Sequence, residues 1–253
     1  MGNRPSTGPV EKYLLRKIRE EGAIHLTLID PENVTPEKAG EIASKAEKAG
    51  TKAIMLGGST IASSIQVDNV AKEIKKNVKI PLILFPGNIS GLSRFADAIF
   101  FMSLLNSSNT YYLIDAQALS ALTVKKFGVE PIPLGYIVMG EGGTVGFVGY
   151  ARLIPYDKPQ LALMYALAGQ YLGMRFIYLE AGSGAKKPIP SNVISLIKKN
   201  LDIPLIVGGG IKSGDNAKKA VKAGASIIVT GTIVEKVEDV HKKISEIVRS
   251  IGG

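Results

Sequence analysis

Three stretches near the C-terminal end decide the fold: FIYLEAGSG (Phe176–Gly184), PLIVGGGI (Pro204–Ile211) and SIIVTGT (Ser226–Thr232). Each is a short apolar run, rich in β-branched side chains, that breaks into glycine and small polar residues. Strands covered on both faces, as in a parallel sheet, read as continuous apolar runs of this kind rather than as alternating ones. Working outward, the same pattern recurs at Ile24–Ile29, Ala53–Leu56, Pro81–Phe85, Ala98–Leu105 and Ile132–Met139, which with Phe176–Leu179, Pro204–Val207 and Ser226–Val229 makes eight predicted strands. Helical patterns lie between them. Thr35 is placed to cap a helix that has Pro36 in its first turn, carries Ile42, Ala46 and Ala49, and stops at Gly50. Val237, Val240, Ile244, Ile247 and Ile251 repeat at helical spacing. Eight strand–helix units in a chain of 253 residues match a (β/α)8 barrel, whereas an open doubly wound sheet usually has fewer strands. One unit is irregular. Only Asn88–Asp97 separates the third and fourth strands, which leaves room for a loop with at most a short helix. An extra helix is predicted over Val10–Glu20, and residues 1–253 read as one domain without a linker.

Composition narrows the function classes. With 45% hydrophobic and 21% charged residues the chain has globular rather than disordered composition. The absence of cysteine excludes disulfides, thiol catalysis and a thiolate zinc site, and two histidines, His25 and His241, exclude a three-histidine metal centre. The longest apolar run falls short of the ~20 residues of a membrane span. The N-terminus has no apolar signal core. A soluble cytoplasmic protein is expected. The formal charge of +9 suits nucleic acid, an anionic membrane surface or small anionic substrates. The basic residues are dispersed in pairs such as Lys75-Lys76, Lys198-Lys199 and Lys242-Lys243, which reads as a solvated helical surface and not as a nucleic-acid interface.

Barrel active sites lie at the C-terminal strand ends. Glycines after strands six, seven and eight (Gly182 and Gly184, Gly208-Gly209-Gly210, Gly231) let backbone N–H groups approach an anion, so these ends are expected to bind phosphate, the alternative being plain loop geometry. Asp30 ends the first strand before Pro31. It either faces the barrel mouth as a Mg²⁺ ligand or serves a turn. Ser59, after Gly57-Gly58, offers an oxygen to the same ion or completes a turn. Glu180 stands in a small-residue stretch, as a base, as an acceptor for a substrate hydroxyl, or as half of an ion pair.

These residues resemble a known family, the geranylgeranylglyceryl phosphate synthases, which make the first ether bond of archaeal membrane lipids. The resemblance is carried by LIDPENV (Leu28–Val34), MLGGST (Met55–Thr60), LFPGNISGLSRFADAIFFMSLLNS (Leu84–Ser107), YLEAGSGAKKPIP (Tyr178–Pro190), IVGGGI (Ile206–Ile211) and IVTGTIVE (Ile228–Glu235). It implies a modified TIM barrel, in the α/β class, with the third helix replaced by a loop. It implies a prenyltransferase joining sn-glycerol 1-phosphate to geranylgeranyl diphosphate, with Mg²⁺ as cofactor. It places Asp30 and Ser59 at the metal. It places Tyr178, Leu179, Glu180, Ala181, Gly182, Ser183, Gly184, Gly209, Gly210, Gly231 and Thr232 at the glycerol phosphate, with Glu180 and Tyr178 catalytic. Here the first-strand motif reads Asp30-Pro31-Glu32, where relatives often carry a second aspartate.

Under that reading Phe101, Leu104, Leu105, Tyr136 and Ile137 are candidates to line the prenyl groove, and Gly140–Gly149 is a structural loop. The Met1-Gly2…Ser6 pattern of a myristoylation site carries little weight. Competing readings are the bacterial relative that uses a longer prenyl chain, a sugar-phosphate isomerase or lyase on the same barrel, and an anionic-lipid or nucleic-acid binding module. Finally, LALMYALAGQYL (Leu161–Leu172) reads as a helix apolar around most of its circumference. A homo-oligomer is expected, with Ala162, Ala166 and Gly169 letting two copies of this helix approach. Prenyl-chain or peripheral membrane contact is the rival use of that surface.

Overall fold

The computed structural model describes residues 7–60, 63–232 and 237–252. The myristoylation pattern and Ile233–Glu235 of the last motif lie outside the described residues. Eight parallel strands close into a barrel in sequence order. They are β1 (Ile24–Ile29), β2 (Ala53–Leu56), β3 (Leu82–Leu84), β4 (Ala98–Leu104), β5 (Glu130–Val138), β6 (Phe176–Glu180), β7 (Leu205–Gly208) and β8 (Ile227–Thr230). Seven of these lie within a residue of the sequence expectation at each end. β5 starts two residues early and runs through Pro131 and Pro133, since an outer-ladder N–H is dispensable where β4 supplies the pairing.

The helices follow the caps. Thr35 Oγ1 accepts from Lys38 N–H at the start of α2 (Pro36–Lys48), and Ser63 Oγ accepts from Gln66 N–H at the start of α3 (Ser64–Asn77). Among the described residues the other α-helices whose bounds are defined are α1 (Pro9–Glu21), α4 (Ala116–Phe127), α5 (Gly143–Val148), α6 (Pro159–Tyr171), α7 (Ser191–Lys198), α8 (Gly214–Lys222) and α9 (Val240–Ile251). α1 closes the N-terminal end of the barrel, where Val10 and Leu14 join the interior cluster and Glu130 accepts from the N–H groups of Val10 and Glu11. Between β3 and β4 there is only a 3₁₀ turn, Ile89–Gly91, so the short third connection expected from its length is found.

Strand alternation sorts the side chains. Phe100, Leu134, Tyr136, Phe176 and Tyr178 fill the barrel interior, while Ile137, Leu179 and Ala181 pack outward beneath the helices. Leu105 packs against that same outer layer. Two expectations change. Leu105 and Ile137 belong to the outer core, not to a groove. On α6 the small residues face the barrel: Ala162, Ala166 and Gly169 are fully buried, and a Cβ on Gly169 would meet Ile177 and Leu105. They let the helix approach its own barrel, so a charge at Ala166 or Gly169 would disrupt the fold and would not test an interface. The outward face of α6 is Leu161, Met164, Tyr171 and, just beyond it, Leu172.

His25 is not a site residue. It is buried in a polar chain under the outer layer, with Nδ1 2.6 Å from Thr51 Oγ1, Nε2 2.9 Å from Thr230 Oγ1, and Thr27 Oγ1 2.8 Å from Thr51 Oγ1. Burial holds its pKa down to about 3. Between that value and the ordinary ~6.5 the unfolded chain binds a proton that the folded one refuses, so stability falls as pH drops. His25 should cost a little over about 1 kcal/mol per pH unit below ~6. Denaturant unfolding from pH 7 to pH 4 should therefore show a shallower loss of stability in His25→Gln than in the wild type; equal slopes would show that His25 is charged in the fold.

Candidate active site

The strand ends at the C-terminal mouth enclose a cavity of about 430 Å³. Its walls include Asp30 from β1, Gly57, Gly58 and Ser59 after β2, Tyr178 and Glu180 from β6, Ser183 and Gly184 after it, Gly209 and Gly210 after β7, and Gly231 and Thr232 after β8. Most of the expected site residues thus converge. Leu179 and Ala181 do not present their side chains here, because alternation along β6 turns them into the outer core. Gly182 contributes through its N–H, which donates to Glu180 Oε1 at 2.7 Å. The loops after β6 and β8 are tied together by a 2.7 Å hydroxyl contact between Ser183 and Thr232.

Glu180 is the chemical centre. It is buried at the end of β6 and has no ion-pair partner among the described residues, which removes the ion-pair reading. Burial pushes its carboxyl above the usual carboxylate range; the Gly182 N–H and the hydroxyls of Tyr178 and Tyr136 partly offset this by hydrogen bonding to the charged form. Both tyrosines are themselves held well above the ordinary phenol range, first by burial and then by the charge of Glu180. Tyr136 and Tyr178 pair across β5 and β6 in register, and their rings are 5.1 Å apart at a steep angle. Phe85 stacks on Tyr178 at 5.5 Å. The space above these rings is taken by no side chain from β7, because Gly208 leaves room for the Tyr178 hydroxyl and Gly209 leaves room for Glu180 Oε1. Gly209 also sits at φ +79°, a left-handed conformation that a Cβ disfavours.

Asp30 is half-buried beside Gly58, where a Cβ would strike its carboxylate, and Glu32 N–H donates to Asp30 Oδ1 at 3.0 Å. Burial raises the Asp30 pKa, the Glu32 N–H lowers it, and the charge of Glu32 raises it. Glu32 itself is exposed and lies outside the cavity wall. Among the described residues no cluster of three or more His, Cys, Asp or Glu side chains is arranged to hold a metal. On the β1–β2 side of the mouth Asp30 offers a carboxylate and Ser59 a hydroxyl, which suits a Mg²⁺ ion that takes its other ligands from substrate phosphates and water.

A second, narrower cavity opens from the first. The two share Ser59, Gly87, Met102, Tyr136 and Val145. Beyond that junction its walls are largely apolar and include Ile89, Leu92, Phe101, Leu104, Tyr112 and Val148. Three expected groove residues, Phe101, Leu104 and Tyr136, line it. Gly140–Gly149 is not a plain loop: α5 lies within it, and Val145 and Val148 cover the slot. Sequence reading missed Lys212, Phe85 and Gln117 as wall residues, and it missed the hydroxyl of Tyr136 as a partner of Glu180. The in-register position opposite Tyr178 was the available signal for Tyr136; the others sit in no recognisable motif.

A closed barrel whose last three strands end in glycine-rich loops around a mouth cavity has a (β/α)8 enzyme architecture. The chain belongs to the PcrB family, whose profile matches residues 16–251. It is 57% identical over 243 residues to the geranylgeranylglyceryl phosphate synthase of Pyrococcus horikoshii, covering 95% of both chains. It is 55% identical to the enzyme of the same name from Methanothermobacter thermautotrophicus, covering 96% of this chain and 98% of that one. Among solved structures it matches (S)-3-O-geranylgeranylglyceryl phosphate synthase from Thermoplasma acidophilum, crystallised with its substrate sn-glycerol-1-phosphate, with a TM-score of 0.93, 45% identity, and coverage of 98% and 99%.

The hydrogen bonds around Glu180 give a direct expectation. In Tyr136→Phe one donor to the carboxylate is lost while burial remains, so the carboxyl pKa should rise further. An infrared pH titration of the buried carboxyl band would follow it; an unchanged or lower midpoint would show that the tyrosine hydroxyl does not bond to the charged form.

Proposed function

We propose that this protein transfers a geranylgeranyl group from geranylgeranyl diphosphate to sn-glycerol 1-phosphate, the first committed step of archaeal ether-lipid synthesis, and acts in the cytoplasm. The observation that carries the reading is the junction itself. An anion cradle and an apolar slot, each suited to one substrate, meet beside a buried carboxylate and three aromatic rings. The two substrates named for the relatives match these two cavities in chemistry.

In this reading Ser183, Gly184, Gly209, Gly210, Gly231 and Thr232 hold the glycerol phosphate through N–H and hydroxyl groups. Asp30 and Ser59 would hold Mg²⁺, which when bound neutralises the diphosphate leaving group. The allylic carbon–oxygen bond breaks with its electron pair leaving on diphosphate. The electron-rich faces of Phe85, Tyr136 and Tyr178 favour the positive charge that develops on the allylic carbon. The glycerol hydroxyl oxygen forms the new ether bond to that carbon, and its proton passes to Glu180. Burial makes Glu180 a stronger base than an exposed carboxylate, and the oxonium proton is acidic enough for it to accept. Holding both substrates at the junction removes much of the entropic barrier.

The test is incubation with sn-glycerol 1-phosphate and geranylgeranyl diphosphate, with and without Mg²⁺, followed by product extraction. The wild type should form the ether only with the metal. Asp30→Asn should lower kcat/KM by roughly 100-fold or more. Replacing Gly231 by Val should raise KM for glycerol phosphate more than that for the diphosphate. Metal-independent turnover, or full activity of Asp30→Asn, would contradict the assignment of Asp30. A selective loss of the prenyl substrate in Gly231→Val would reverse the two anion sites.

We also propose self-association through the outward face of α6. Met164 is 65% exposed and Tyr171 and Leu172 are each 77% exposed, and large apolar side chains gathered on one exposed helix face mark interaction surfaces. A second copy across a two-fold axis would cover it. Met164→Glu should reduce the mass in light scattering. A monomeric wild type, or an unchanged mass, would sink the idea.

A further inference from the structure

We propose that Asn106 is a positioning residue that pins α5 as a fixed cover over the junction of the two cavities, so that the glycerol hydroxyl and not water captures the allylic carbon. The inference rests on the function proposed above and deepens it. α5 lies astride the junction. Val145 is one of the residues shared by both cavity walls, and Val148 and Gly149 line the slot beyond it. At the start of α5 a Cβ on Gly182 would strike the backbone of Gly142 and Gly143, so the helix begins against the loop after β6. At its far end a Cβ on Gly149 would strike Leu104 in the slot wall. The side chains that α5 gives to the cavity walls are apolar, while its one hydroxyl, on Thr144, is exposed. The cover brings no nucleophile of its own to the junction.

A helix of 6 residues is too short to hold its place unaided. The segment is stitched at its base instead. Beyond the last ladder pair of β4 and β5, Leu104↔Tyr136, the buried side chain of Asn106 takes the place of a peptide group. Its Oδ1 accepts from Val138 N–H at 3.0 Å, and its Nδ2 donates to the carbonyls of Val138 at 2.8 Å and Arg152 at 3.0 Å. Its own carbonyl accepts from Arg152 N–H at 2.7 Å. One residue thus joins the end of β5, where the segment leaves the barrel, to the point at which it returns. Ser107 Oγ donates to the Gly149 carbonyl at 2.7 Å, and Ser108 donates to the Tyr150 carbonyl from its N–H at 2.9 Å and its Oγ at 3.0 Å. Tyr150 is the one non-glycine among the described residues with a positive φ, +51°, which an aromatic residue keeps only where its neighbours hold it. An apolar side chain at 106 would remove all three amide bonds, and such bonds are costly to lose in an interior.

A fixed cover matters because water competes for the same carbon. When water attacks, its oxygen bonds to the allylic carbon, the bond to diphosphate breaks with its electron pair leaving on diphosphate, and the oxonium proton passes to solvent. The products are geranylgeraniol and diphosphate. Exclusion of water from the junction suppresses this side reaction.

The test supplies geranylgeranyl diphosphate, sn-glycerol 1-phosphate and Mg²⁺ in water enriched in heavy oxygen, and reads the ether and geranylgeraniol by mass spectrometry. The wild type should give mostly ether. Asn106→Ala should raise the ratio of alcohol to ether about tenfold, the order expected when buried polar groups lose their partners and the cover loosens. The added alcohol should carry heavy oxygen, because attack at carbon takes the oxygen from water, whereas hydrolysis at phosphorus leaves the original oxygen in place. Unlabelled alcohol overturns the proposal. So does a fall in both products at a constant ratio, which is what a merely structural role would give. If Asn106→Ala does not fold, Ser107→Ala, which cuts the bond to Gly149, and Val145→Ala, which thins the cover, carry the comparison. Both must then raise the labelled alcohol, and an unchanged ratio in either overturns the inference. A wild type that makes ether but more alcohol refutes the cover and leaves the proposed function standing. A wild type that makes no ether removes the proposed function and this inference with it.

Discussion

Strand β3 is three residues long and β4 is seven, and most of the site follows from that mismatch. Parallel pairing between them stops at Ile99, and no full helix follows β3 to cover the gap. Backbone groups of β4 beyond that point need other partners, since buried N–H and C=O groups are rarely left unpaired. On one side β5 supplies them along the whole strand. On the other, the Met102 carbonyl takes the amide of Gln117. The gap becomes a slot walled by side chains of the 3₁₀ turn, β4 and α4, most of them apolar. A barrel with an ordinary third helix would fill this space with core.

The second constraint is charge in a dry place. Glu180 lies where a charged group is costly unless hydrogen bonded. Three donors converge on it, two of them phenols that are themselves buried. The arrangement leaves the carboxylate basic without leaving it unsupported, and it holds the aromatic rings at fixed angles around the junction. Glycines at 208 and 209 are required by this packing before any ligand is considered, because a Cβ at either would collide with Tyr178 or Glu180. The same residues that clear space for the acid open the mouth cavity in which the glycerol phosphate is proposed to bind.

Much of this was legible in the sequence. Continuous apolar runs located the strands because both faces of a barrel strand are covered, and glycine at their ends located the mouth. The length of Asn88–Asp97 alone foretold the missing helix. Less legible was anything that depends on which way a side chain turns. Leu105 and Ile137 read as groove residues but alternate outward, and the small residues of α6 read as an interface between copies but face their own barrel. Gln117, which lines the slot, carries no motif at all; its place follows a π-helical turn, and its amide meets a strand carbonyl fifteen residues away. Apolar pattern reports burial, and it does not distinguish the barrel from a partner or a ligand.

The division of labour between the two cavities is the central claim, and a crystal structure with sn-glycerol 1-phosphate and a non-reactive thiolo analogue of geranylgeranyl diphosphate tests it most directly. The account predicts the glycerol phosphate against Gly209, Gly210 and Gly231, its hydroxyl toward Glu180, and the prenyl tail running past Phe101 and Tyr112 to α4. A tail lying over α6, or a glycerol phosphate bound away from the three glycine loops, would contradict it.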